Sequence, residues 1–180
     1  AAMSAMRSIN IAILAMGGEG GGVLADWLVD LAEHDGWVVQ ATSVPGVAQR
    51  TGATIYYLEL VPPDAGGRAP VLALLPFPGD VDVVLASELM EAGRAIQRGL
   101  VSAQRTTLIA STHRVYSMTE KTALGDGRVD ADALLEGGRA AAMRFLQADL
   151  AAAAEESGSL ISAALFGALA ESGALPFGRE

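Results

Sequence analysis

The chain has 180 residues, 51% hydrophobic and 18% charged, enough apolar side chain to fill one domain-sized core and too much for a disordered chain. Twelve Lys and Arg stand against 21 Asp and Glu, a formal charge of -9 that excludes a broad electrostatic footprint for a nucleic-acid backbone. With no cysteine, the chain by itself forms no disulfide, thiolate nucleophile, Cys-ligated zinc or iron-sulfur cluster.

The expectation for Ala1 to Met6 is a cloning remnant, left out of the fold reading. Ile9 to Ala15 is an apolar run, Asn10 apart, that leads into glycines, the pattern of a strand buried on both faces of a parallel sheet. From Val23 to Glu33, the apolar positions Val23, Leu24, Trp27, Leu28 and Leu31 recur at helical spacing, and Gly36 ends the helix. Trp37 to Thr42 reads as a second strand, Ser43 to Arg50 as a loop punctuated by Pro45 and Gly46, and Ala53 to Leu60 as a third strand closed by Pro62 and Pro63. Asp64 to Pro70 is a loop, followed by the short apolar run Val71 to Leu75 and a break at Pro76 to Gly79.

Val81 to Ala86 is the next strand, with Ser87 as N-cap of a helix from Glu88 to Arg98. Thr106 to Ala110 is a further strand, and Ser111 to Arg114 its C-terminal loop. Gly125 to Arg128 is a turn and Ala131 to Glu136 is helical. Ala140 to Glu156 has two readings: one long alanine-rich helix, or a short strand around Met143, Phe145 and Leu146, with Asp149 capping a shorter helix. Ser159 to Glu171 closes as an apolar helix ended by Gly173 and Pro176.

This alternation predicts an α/β chain, a single Rossmann-like domain with three α/β/α layers and a mainly parallel or mixed central sheet. The uncharged stretch Ser157 to Ala170 falls short of the roughly 18 apolar residues of a membrane span, and Ile9 to Met16 lacks a signal-peptide cleavage site. The expectation is a cytoplasmic protein with neither membrane nor nucleic acid as partner.

In an open parallel sheet, ligands bind beyond the carboxyl ends of the strands, which directs attention to Gly17–Gly22, Ser43–Arg50, Ser87–Glu88 and Ser111–Arg114. The first is a glycine-rich turn entering a helix. Backbone N–H groups there, unshielded by Cβ atoms, suit a phosphate or other anion, so Gly17, Gly18, Gly20, Gly21 and Gly22 are candidate ligand-binding residues. The alternative is structural, a tight turn with close helix–sheet packing. Gly20, Gly22 and Ala25 fit G-x-G-x-x-A, but Gln40 to Ser43 offers no acid for a ribose, and Glu19 places negative charge in the turn.

In the second loop, Arg50 is suited to a phosphate or carboxylate and Gln49 to a polar neighbour, unless Arg50 is tied to a carboxylate of the protein itself. His113 and Arg114 add a second cationic spot, although the sequence shows no partner acid for His113 and no catalytic residue is assigned. His34, near a helix end, reads as structural. Neither histidine belongs to a metal-binding pattern. Gly125-Asp126-Gly127 resembles the start of a thiamine diphosphate motif, but the Asn that motif needs further on is missing, Asn10 being the only one.

Two segments taken together are more specific than either alone. IAILAMGGEGGGVLADWL at Ile11 to Leu28 and SVPGVAQRTGAT at Ser43 to Thr54 resemble the paired signatures of the gamma subunit or domain of 2-oxoacid:ferredoxin oxidoreductases, with the greatest likeness to the indolepyruvate:ferredoxin oxidoreductase beta subunit. TLIASTHRVYS at Thr107 to Ser117 and the closing LISAALFGALAESGALPF extend the resemblance over residues 7–180. Glu19 stands where the family typically has glutamine, and Thr51 where it has glycine.

The resemblance implies a pyruvate/ketoisovalerate oxidoreductase gamma-type catalytic domain over residues 7–180, with the expectation that the chain is a truncated piece of a longer protein. Such an enzyme acts on the oxo group of an aryl pyruvate, decarboxylates it, joins the acyl group to coenzyme A as cosubstrate, and passes electrons to ferredoxin. Thiamine diphosphate, Mg and iron-sulfur clusters are then expected on a large partner subunit, with no cofactor bound by this chain alone, and with a homodimer as its form in isolation. The resemblance also implies that Ala141 to Leu146 is a strand. The rival readings are a stand-alone nucleotide- or coenzyme A-binding module, and an architectural subunit without ligand contacts.

Overall fold

The first strand, β1 (Ile9–Met16), feeds both sides of the molecule. Ile11, Ile13 and Ala15 enter one buried cluster, while Ala12 and Leu14 enter a second on the opposite face, the two-residue period of a strand covered on both sides. The computed structural model describes residues 7–45, 53–63, 72–116, 120 and 129–177.

In chain order, β1 is followed by α1 (Gly21–His34), β2 (Val38–Pro45), β3 (Ala53–Val61), β4 (Val83–Ala86), α2 (Leu89–Gln97), β5 (Thr107–Ser111), α3 (Ala131–Ala141), β6 (Arg144–Ala148), α4 (Leu150–Glu156) and α5 (Ile161–Ser172). The six strands form one sheet in the order β2-β3-β1-β4-β5-β6. The pairs β1·β4, β4·β5 and β5·β6 are parallel, whereas β3 is antiparallel to both β1 and β2. Five strands therefore point one way, and β3 alone is reversed. The mixed alternative of the sequence reading is the one observed.

Leu24, Leu28 and Ala32 of α1 and Leu165 and Leu169 of α5 cover one face of the sheet; Ala92 and Ala95 of α2 cover the other. Leu24 and Leu28 are fully buried, and each such side chain stabilises the fold by about 1.5–3 kcal/mol. Among the described residues, no helix is long and apolar enough to cross a membrane.

The two readings of Ala140–Glu156 are resolved in favour of strand then helix. Phe145 packs with the α2 cluster and Leu146 with the α1 cluster, so successive side chains face opposite cores, which no helix allows. The Phe145 ring lies against Gly138, where a Cβ would come within 2.6 Å of it. Asp149 then accepts a hydrogen bond from the Ala152 amide at 3.0 Å and caps α4.

Several boundaries differ from expectation: α3 continues past Glu136 to Ala141, so that Ala141 is helical, and the strand expected over Ala141–Leu146 is β6 at Arg144–Ala148. Ser43 to Pro45 continue β2 instead of opening a loop, because they pair with Tyr56, Ile55 and Thr54 of β3. The cap of α2 is Glu88, which accepts from the Glu91 amide, and not Ser87. The run around Leu74 and Leu75 forms no strand among its described residues, and the expected turn at Gly125–Arg128 lies outside them.

Gly20 is the N-cap of α1 at φ 74°, the left-handed conformation that glycine tolerates. Gly21 has a different reason to be glycine: a Cβ there would stand 2.5 Å from the Ala15 Cβ and 2.7 Å from the Tyr56 ring, so α1 meets the sheet at bare backbone. At Gly22 the same atom would meet Tyr56 at 3.5 Å, an ordinary contact. Gly21→Ala is therefore expected to destabilise the chain by about 1–3 kcal/mol in urea unfolding, and Gly22→Ala to be neutral or stabilising by up to about 1 kcal/mol. Equal effects at the two positions would contradict this packing.

Candidate functional site

Because β1, β4 and β5 lie side by side with Leu14, Ala86 and Ala110 in register, the residues that follow them share the carboxyl edge of the sheet. Met16 pairs with Ala53 and Pro45 with Thr54, which brings the end of β2 and the start of β3 to the same edge. Three of the four singled-out segments thus meet, and the fourth departs from this edge and returns to it. Gln49 and Arg50 lie outside the described residues.

A chain of hydrogen bonds runs across this edge. The Glu19 carboxylate accepts from the Ser87 hydroxyl and, at 3.3 Å, from the Met16 amide. Its other oxygen lies 3.3 Å from Nε2 of His113. Nδ1 of His113 is 2.8 Å from the Ser111 hydroxyl, which accepts from the Leu150 amide at 3.1 Å. Since the Leu150 amide occupies an acceptor site on Ser111, the hydroxyl proton is free to go to Nδ1 of a neutral ring, leaving Nε2–H for Glu19. The His113 backbone is fixed as well: its carbonyl accepts from the Leu89 amide, in the first turn of α2, at 3.1 Å.

The pair perturbs both of its members. The hydrogen bond to Glu19 and its charge raise the His113 pKa above its ordinary 6.5, against the opposing effect of burial. Burial pushes Glu19 up, but the bonds from His113 and Ser87 outweigh it and leave the carboxyl below its ordinary 4.5.

Beside the pair, Glu88 is wholly buried. Burial raises its pKa, while backbone amides and Arg114 pull it down. Its oxygens accept from the Glu91 amide at 3.0 Å and the Val115 amide at 3.3 Å, and Arg114 Nε lies 3.9 Å away. Arg114 donates to the Glu120 carboxylate at 2.5 Å and the Val129 carbonyl at 2.8 Å, and stacks over Tyr116. The second cationic spot of the sequence reading is thus already engaged with carboxylates.

The glycines divide. Gly20 and Gly21 are explained by backbone conformation and packing, with the Ser162 hydroxyl 2.9 Å from where a Gly20 Cβ would sit. Gly17 and Gly18 are exposed, and a Cβ at Gly18 would meet nothing within 4 Å. Sequence reasoning missed the partnership of Glu19 with His113, which are 94 residues apart. The one signal for it was that both follow strands of a parallel sheet.

A cleft of about 490 Å³ opens at the opposite edge, lined by Arg7, Asp82, Arg105 and Arg144 with Trp37 and Leu175. Its cations are committed to the protein. Arg105 binds Asp82 at 2.9 and 3.0 Å and also Asp80, Arg7 binds Asp82 at 2.6 Å, and Arg144 donates to the Ser172 carbonyl at 2.6 Å. This network closes the amino ends of β1, β4 and β5, so the carboxyl edge remains the better candidate. Among the described residues, no group of three or more His, Asp or Glu is placed to hold a metal ion.

A family model described as pyruvate ferredoxin/flavodoxin oxidoreductase matches residues 10–180. No curated protein matches. Among solved structures, the chain is similar to the pyruvate oxidoreductase subunit PORC of Thermotoga maritima, with TM-score 0.57 and 16% identity over 95% of this chain and 80% of that one. It is also similar to the gamma subunit of a keto/oxoacid ferredoxin oxidoreductase of Geobacter sulfurreducens, with TM-score 0.54 and 15% identity over 93% and 77% of the two chains. A third likeness is to the 2-oxoglutarate:ferredoxin oxidoreductase of Magnetococcus marinus with 2-oxoglutarate, coenzyme A and succinyl-CoA bound. There the TM-score is 0.59 and the identity 14%, over 97% of this chain but only 25% of the other. At these identities the likenesses establish the fold.

Glu88→Ala removes the α2 cap and leaves buried Arg114 without one of its acids, an expected loss of about 2–4 kcal/mol in urea unfolding. Glu88→Gln keeps an acceptor for the Glu91 amide and replaces a carboxyl that burial already drives toward neutrality, for a smaller expected loss of about 1 kcal/mol. Equal losses would show that the carboxylate charge, and not the cap, is what Glu88 supplies.

Proposed function

Because the chain belongs to the pyruvate ferredoxin/flavodoxin oxidoreductase family, we propose that it is the gamma-type component of a 2-oxoacid:ferredoxin oxidoreductase acting in the cytoplasm on indolepyruvate or a related aryl pyruvate. The match over residues 10–180 carries this reading. Oxidative decarboxylation to an acyl-coenzyme A requires a group that stabilises the acyl carbanion and a path for electrons. Thiamine diphosphate with Mg and iron-sulfur clusters supply these on a large partner subunit. This chain's residues do not fit either group: it has no cysteine for a cluster, and its only Asn, Asn10, is held in the amino edge by Asp80.

What the chain contributes is shape and hydrogen-bond donors at the carboxyl edge. The exposed turn at Gly17 and Gly18 offers backbone donors to the anionic substrate or coenzyme A, and Gln49 and Arg50, outside the described residues, are the side chains proposed to bind the same ligand. Leu74, Leu75 and Phe77 are 70%, 55% and 74% exposed in one short segment, which supports a face meant to be covered by the partner subunit. A second reading, an architectural subunit that touches no ligand, is favoured by the packing that already explains Gly20 and Gly21.

Mixing the purified large subunit with this chain is expected to restore 2-oxoacid-dependent ferredoxin reduction that neither shows alone. Full activity of the large subunit by itself would overturn the proposal. In the assembled enzyme, Arg50→Ala is expected to raise the KM for coenzyme A or the oxoacid about tenfold or more, the loss of a charge-assisted hydrogen bond. An unchanged KM for both would favour the architectural reading.

A further inference from the structure

Glu19 and His113 are a paired acid and base at the carboxyl edge, and their side chains are 17% and 20% exposed, close enough to solvent for a ligand to sense their charge. We propose that they act as one proton-carrying unit that sets the selectivity of the glycine turn for anions, holding the turn neutral when His113 is protonated and leaving it negative when His113 is not. This inference rests on the anion-binding reading of the turn given above.

The geometry gives the unit its two states. In the neutral ring, Nδ1 accepts from Ser111 and Nε2–H faces Glu19. Adding a proton at Nδ1 makes that nitrogen a donor to the Ser111 oxygen, while Nε2–H still faces Glu19 in a bond now charge-assisted and stronger. Neither state breaks a hydrogen bond of the ring. What changes is the charge of the pair, from one negative unit to zero.

The other groups facing His113 act in the same direction. Glu88 from the α2 cap and Asp149 from the α4 cap raise its proton affinity through their charge. The neighbouring Arg114, which opposes them, is turned toward Glu88 and Glu120. The folded chain therefore holds the His113 proton to higher pH than the unfolded chain. The stabilisation is complete below the unfolded value of 6.5 and is lost as pH rises through the folded value. The depressed Glu19 contributes above 4.5, and that part is lost as pH falls through its folded value. The pair is most stabilising between these limits.

With only two histidines in the chain, His34 and His113, the titration of each ring is readable by NMR of the full chain, His34→Asn assigning the signals. The expected result is a His113 midpoint above 6.5 in the wild type that falls in Glu19→Gln, with the Gly17 and Gly18 amides following the His113 midpoint of each protein. In the assembled enzyme, the KM for coenzyme A is expected to rise about three- to tenfold as pH passes through that midpoint, one unit charge within several ångströms of the ligand. In Glu19→Gln, where His113 still gains or loses one unit of charge, the same rise is expected at the lower His113 midpoint. A His113 midpoint unmoved by Glu19→Gln, or a Glu19→Gln enzyme that keeps the wild-type pH profile of the KM, overturns the proposal. Failure of the underlying reading looks different: the large subunit is active without this chain, while the NMR titration still reports the coupled pair.

Discussion

Everything at the carboxyl edge depends on how closely α1 approaches the sheet. The Gly21 backbone sits where a single methyl group would run into Ala15 and Tyr56, so the turn from β1 into α1 is pulled down onto the strands. That closeness places Glu19 over Ser87 and within reach of His113, three residues from three different strand ends. A looser turn would carry Glu19 into solvent, where a carboxylate and an imidazole interact weakly. Packing of bare backbone in the core is thus the cause, and the hydrogen-bond chain at the surface its consequence.

The two edges of the sheet divide the charged work. At the amino edge, Asp82 takes hydrogen bonds from Arg105, Arg7 and the Asn10 amide, which outweigh its burial and keep its carboxyl below the ordinary range. Those cations are spent on the protein. At the carboxyl edge, the ionisable groups are paired but partly exposed, and the turn beside them is open to solvent. In a chain with a formal charge of -9, an anion has to be met by such local arrangements, because the surrounding field repels it.

The strands were legible because buried parallel strands leave short, largely apolar runs, as at Ile11–Ala15 and Leu108–Ala110. The reversal of β3 was not, since an apolar run carries no direction and only the pairing of Met16 with Ala53 reveals it. In the alanine-rich segment, helix propensity competed with the alternation of Phe145 and Leu146, and tertiary packing against Gly138 decided for a strand. The edge proposed to carry the site follows from topology alone. The acid facing His113 could not be foreseen, because Glu19 and His113 become neighbours only once the order β1-β4-β5 is known. Nor does a glycine-rich turn announce which of its glycines serve packing: Gly21 does, and the exposed Gly18 does not.

The central claim is that the carboxyl edge, and not the amino-edge cleft, faces the reactive centre held by the partner. Amide hydrogen exchange of the chain, compared between its free form and the assembled oxidoreductase, tests this most directly. The account predicts new protection at Gly17–Gly20 and Ser111–Tyr116, with little change at Arg144 and Gly173–Leu175. Protection confined to the latter, with Gly17–Gly20 exchanging as freely as before, would contradict it.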